Sequence, residues 1–83
     1  MGIRPTLTVY SRRHCHLCEE MIAGVQDLQA RFAFEVEVVD VDADAVLREE
    51  YGLHVPVLVH EDRELCRHRL EPAGVTAYLS SFR

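Results

Sequence analysis

The spacing of apolar residues changes repeatedly along this chain, and each change marks an element. Thr6-Leu7-Thr8-Val9-Tyr10 is β-branched and aromatic, with Pro5 before it and Ser11-Arg12-Arg13 after it, which predicts a strand. From His16 the period lengthens. Leu17, Met21, Val25, Leu28 and Phe32 recur at three- or four-residue steps, the signature of one face of a helix about four turns long. Phe34 to Val41 (FEVEVVDV) returns to strand chemistry, with Val36 and Val38 alternating against Glu35 and Glu37. Asp42 or Asp44 can cap a second helix carrying Val46, Leu47 and Tyr51. Gly52 stands where a helix end favours a residue able to take positive φ.

Val55-Pro56-Val57-Leu58-Val59 predicts a third strand, whose proline belongs at an edge or a strand start. Glu61 and Asp62 form a tight turn into a fourth strand, Arg63 to Arg69. Pro72 suits the first position of a last helix, which Val75, Tyr78, Leu79 and Phe82 give an apolar face. The order is β-α-β-α-β-β-α. A strand-helix-strand opening implies parallel pairing through a right-handed crossover, and the short last connection implies an antiparallel hairpin. The expected fold is therefore α/β, a four-stranded mixed sheet flanked by three helices, in one domain spanning residues 1–83.

Composition narrows the function. A net charge of −5 argues against nucleic acid and against anionic lipid as partners. Apart from histidine every basic residue is arginine, a bias to which no mechanism attaches. Three cysteines fit poorly with a secreted disulfide framework. MGIRPTLTVY carries no signal-peptide core, and no stretch approaches a membrane span, so a cytoplasmic protein is expected. MGIRPT matches the acylation pattern M-G-x-x-x-T, but a strand follows at once and leaves little tether, so it is read as coincidence.

The candidate chemistry lies in His14-Cys15-His16-Leu17-Cys18-Glu19-Glu20. A C-x-x-C pair can be a redox dithiol, half of a zinc site, or part of a haem or iron–sulfur motif. Cys15 falls at the junction between the first strand and the long helix. Unpartnered N–H groups and the helix dipole there favour thiolate, so Cys15 is the expected nucleophile with a lowered pKa. Cys18, one turn on, is close enough to bridge and is expected to be less accessible. That arrangement fits thiol–disulfide exchange, with Cys18 resolving a mixed disulfide formed at Cys15. Arg12, Arg13, His14 and His16 can place positive charge near Cys15, Arg13 and His16 being the principal candidates.

TVYSRRHCHLCEE, followed by EVEVVDVDADAVLREEYGLHVPVL, resembles the glutaredoxin-like branch of the thioredoxin fold over nearly the whole chain. The resemblance implies a cis bond between Val55 and Pro56, with the proline packed against the dithiol. It also implies that the Val55 backbone pairs with an extended substrate. The expected activity is reduction of disulfides with no resident cofactor, glutathione being a candidate reductant. The expected partner is a disulfide-containing protein or a low-molecular-weight thiol, and the expected state is a monomer. The dithiol reads C-H-L-C where the best-known dithiol glutaredoxins resemble C-P-Y-C. Arg69-Leu70-Glu71-Pro72 stands where they carry a Gly-Gly segment that grips glutathione.

Other readings compete. His14, Cys15, His16 and Cys18, with Cys66 and His68, supply enough donors for tetrahedral zinc. A second pair of matching spacing is absent, however, and the fourth strand is expected to lie away from the dithiol. Haem attachment requires histidine directly after the second cysteine, where Glu19 stands. A cluster-bridged dimer and a binding or redox-sensor module without turnover complete the alternatives. Cys66 alone reads as a small buried hydrophobe. His54 and His60 read as loop or edge residues, and Asp40, Asp42 and Asp44 as caps or solvated carboxylates.

Overall fold

The computed structural model describes residues 4–82, so the Met1–Ile3 part of the acylation-like match lies outside the described residues. The chain builds β1 (Thr6–Ser11), α1 (His16–Leu28), β2 (Glu35–Asp40), a 3-10 turn (Val41–Ala43) and α2 (Ala45–Tyr51). It continues with β3 (Val57–His60), β4 (Arg63–Arg67) and α3 (Pro72–Ser80). The sheet order is β2-β1-β3-β4. β1 and β2 run parallel, in register from Thr6 opposite Glu35 to Ser11 opposite Asp40. β3 pairs antiparallel with β1, Tyr10 lying opposite Val57, and β4 closes an antiparallel hairpin.

Strand alternation decides which side chains meet the helices. Val9 lies opposite Leu58, and Leu58 opposite Cys66, so these three and Leu7 share one face. Met21, Val25 and Leu28 of α1 and Val75 and Leu79 of α3 cover that face as one core. Tyr10 points to the other face, where its ring stacks on Tyr51 of α2 at 4.2 Å between centroids and 11° between planes. Helices thus lie on both sides of the sheet, which is why Val57 and Leu58 are wholly buried.

Several local expectations change. The buried stripe of α1 is Cys18, Met21, Val25 and Leu28, whereas Leu17 is 39% exposed. At about 100° of rotation per residue, choosing Cys18 as the first core position turns Leu17 onto the flank. The helix ends at Leu28, and Phe32 packs on the edge of the core from the following turn. Gly52 has φ of −54°, so positive φ is not its reason for being glycine. Asp44 caps α2 by accepting from the Val46 and Leu47 N–H groups. α2 buries no residue fully, and Val46 stands in solvent.

The strand ends also shift, β3 beginning at Val57, and β4 stopping at Arg67. His60 is no edge residue. Its strand is internal to the sheet and covered by α3, which leaves the histidine 8% exposed with Nδ1 2.6 Å from the Tyr78 hydroxyl.

Candidate functional site

β1 delivers the chain to Ser11, and four residues carry it to the start of α1. His14 takes φ of 57°, a left-handed conformation that reverses the chain just ahead of Cys15. Cys15 is then the N-cap of α1, with extended backbone, and its Sγ accepts the Cys18 N–H at 3.2 Å. This position is usually held by Ser, Thr, Asp or Asn, whose oxygen accepts from the same orphan donors. A sulfur placed there meets the positive end of the helix at contact range.

Cys15 and Cys18 are joined as a disulfide, their Cα atoms 5.2 Å apart. Burial divides the pair. Cys15 is partly exposed, while Cys18, at 1% exposure, opens the core stripe of α1. An incoming sulfur can therefore reach one of the two and not the other.

The chain before β3 arrives at the same end of β1 as the loop to Cys15. Because Val57 pairs with Tyr10 near the end of β1, Val55 and Pro56 are placed beside the loop that leads to Cys15. The Val55–Pro56 bond is cis, Pro56 is fully buried and Val55 is half-buried. Among the described residues no backbone hydrogen bond uses Val55, whereas the Pro56 carbonyl accepts the His68 N–H at 2.7 Å.

That last contact carries the chain leaving β4 past Pro56. Antiparallel pairing returns the chain to this end of the sheet. There His68, Arg69 and Leu70 line a groove of about 460 Å³ with Leu17, Glu20 and Met21. His68 also has positive φ, 69°. Gly24 lets the loop close on α1, since a Cβ there would stand 2.6 Å from Leu70 Cδ2.

The charged neighbours sort differently from their sequence reading. His16 Nε2 lies 2.8 Å from Glu20 Oε2, one turn along the outer face of α1. Arg13 is exposed and makes no salt bridge among the described residues. Arg12 is the residue whose part was missed: its guanidinium holds Asp42 at 2.9 and 3.2 Å and the Gly52 carbonyl at 3.1 Å. These partners are 30 and 40 residues away in sequence, so no local pattern could have announced them. Cys66 faces the core, and burial pushes its thiol pKa up. Among the described residues no three His, Cys, Asp or Glu side chains gather as a metal site requires.

The chain is similar to several known proteins. The Glutaredoxin-like domain family (DUF836) matches residues 6–80. Protein Ne2328 from Nitrosomonas europaea, solved by NMR, is 44% identical with a TM-score of 0.83, over 95% of this chain and 96% of that one. Protein XcR50 from X. campestris is 38% identical with a TM-score of 0.67, over 93% of this chain and 99% of that one. Thioredoxin 1 from Thermosipho africanus, at 19% identity, shares the fold with a TM-score of 0.63 over 90% and 94%. A search of curated proteins finds no match.

Proposed function

The chain belongs to the glutaredoxin-like domain family, and from that premise we propose that it is a small thiol–disulfide oxidoreductase. The observation that carries the reading is the unequal burial of two bridged cysteines at one helix N-terminus. Cys15 is the reachable sulfur at the cap, and Cys18 is the buried one behind it.

In the reduced protein the Cys15 thiolate attacks one sulfur of a substrate disulfide. A Cys15–substrate bond forms, and the substrate's other sulfur leaves as thiolate. Cys18, deprotonated, then attacks Cys15 Sγ, releases the second substrate thiolate and forms the Cys15–Cys18 bond. The substrate gains two electrons and the dithiol loses two, which two external thiols or one external dithiol must restore. The N-cap position supports the first step, because orphan N–H groups and the helix dipole stabilise the thiolate over the thiol. The unused backbone groups of Val55 support pairing with an extended substrate strand, with Pro56 fixing the edge behind it.

The groove of Leu17, Met21, His68, Arg69 and Leu70 takes the flanking part of the substrate. Arg13 and His16, exposed on either side of Cys15 in the chain, are the further side chains that meet the substrate. The partner class is a disulfide-containing protein or a low-molecular-weight thiol, with glutathione or a reductase-supplied dithiol as donor.

The test is turnover of a synthetic peptide disulfide with either donor. Wild-type protein is expected to turn over with one of them, and Cys15→Ser with neither. Cys18→Ser is expected to accumulate a Cys15-linked mixed disulfide visible by mass spectrometry. A wild-type protein that reduces no disulfide with any donor is a sensor or binding module, and the catalytic reading fails.

A further inference from the structure

One side chain ties together three segments of the site that the sequence keeps far apart. Arg12 follows the last residue of β1 and precedes Cys15 by three positions. Its Nε and Nη2 donate to both carboxylate oxygens of Asp42, and its Nη1 donates to the Gly52 carbonyl. Asp42 sits in the 3-10 turn after β2. Gly52 closes α2 and begins the Gly52–Pro56 loop that carries Val55. A Cβ at Gly52 would crowd the Arg48 carbonyl most closely and would also stand 2.9 Å from Arg12 Nη2.

We propose that Arg12 is a positioning residue: its fork sets the Gly52–Pro56 loop, and with it Val55, at a fixed offset from the Cys15 loop. A planar guanidinium can serve a carboxylate and a carbonyl together in fixed directions, which an ammonium on a flexible stem cannot. The arginine is therefore used for its shape, and its charge is largely spent on Asp42. The consequence for turnover rests on the oxidoreductase reading. If a substrate strand adds at Val55, the offset between that strand and Cys15 Sγ decides how often the substrate sulfur stands in line for attack. A displacement of about 1 Å in such an arrangement costs on the order of a hundredfold in rate.

The experiment compares full-length wild type, Arg12→Lys and Asp42→Asn by two readouts. The first is amide hydrogen exchange of Gly52 and His54, whose N–H groups bond to the Arg48 and Tyr51 carbonyls at 2.8 Å each. Both variants are expected to speed exchange at these amides about tenfold, leaving the β1–β3 ladder unchanged. The second is kcat/KM for a peptide disulfide, expected to fall about tenfold while dithiothreitol reduces the Cys15–Cys18 bond at an unchanged rate. A small reductant needs no strand alignment. Arg12→Lys with wild-type exchange and wild-type peptide turnover overturns the proposal, since charge alone then suffices. Exchange accelerated uniformly through the sheet also overturns it, by making Arg12 a general stabiliser. If wild type reduces no peptide disulfide, the oxidoreductase reading falls, and the exchange pattern still decides the clamp.

Discussion

At the scale of single residues, the site is built on an exchange of roles. Cys15 does the work of a capping residue, and Cys18 does the work of a core residue. This predicts an order of chemical reactivity. In the reduced protein, iodoacetamide is expected to label Cys15 first and to leave Cys18 and Cys66 unmodified until unfolding, which peptide mapping would read directly. Cys66 has a second protection, since burial raises its pKa and keeps it a thiol at neutral pH.

Tyr51 offers a pH test at the same scale. Burial first, then the adjacent Glu50, raises its pKa from 10.0 to about 12. A raised folded pKa gives stability that is complete below the unfolded value and disappears as pH rises through the folded one. Wild type should therefore lose stability relative to Tyr51→Phe between about pH 10 and pH 12, as seen in denaturant midpoints. Equal slopes for the two proteins in that window would refute the assignment.

At the scale of elements, short pieces of chain are held by specific end contacts. α2 has seven residues and no fully buried side chain, so little packing holds it. Its cap and the Tyr10–Tyr51 stack must then matter more than usual. Asp44→Ala is expected to cost about 1 kcal/mol, measured by urea denaturation, and to loosen the α2 amides first. α1 shows the converse at Gly24. Alanine there would gain roughly 0.5–1 kcal/mol of helix propensity. Its Cβ would also push Leu70, a flexible side chain, off the helix. The two effects oppose each other. Gly24→Ala is expected to stay within about 1 kcal/mol of wild type while the His68–Leu70 resonances shift in NMR spectra. Unmoved resonances would show that Leu70 does not need the space.

At the scale of the whole molecule, a single core between the sheet and the α1–α3 layer holds a chain of 83 residues. Met21 is central to it and wholly buried, so Met21→Ala is expected to cost about 2–5 kcal/mol. Domains of this kind have only about 5–15 kcal/mol in hand, so the loss should appear as a large fall in the urea midpoint. The apolar periods, the prolines and the acidic caps placed every strand and helix in the right order, because each rests on contacts within a few residues of chain. C-x-x-C does follow a strand and Val55-Pro56 does precede another, as the order of elements required.

Contacts across the sheet were not legible. Leu17 looked like a core residue until packing gave its place to Cys18, and His60 looked like an edge residue until α3 covered it. β4 runs antiparallel to β3, and the chain after it, His68–Leu70, lines a groove with Leu17, Glu20 and Met21 of α1, a meeting that no local pattern announces. The sequence by itself determined the elements and set the C-x-x-C pair at a strand-to-helix junction, since local sterics, periodicity and capping act over a few residues. Only the tertiary structure decided which face each element buries and which distant partners, such as Arg12 with Asp42 and Gly52, meet. Those choices depend on the mutual fit of segments that the chain brings together only by folding.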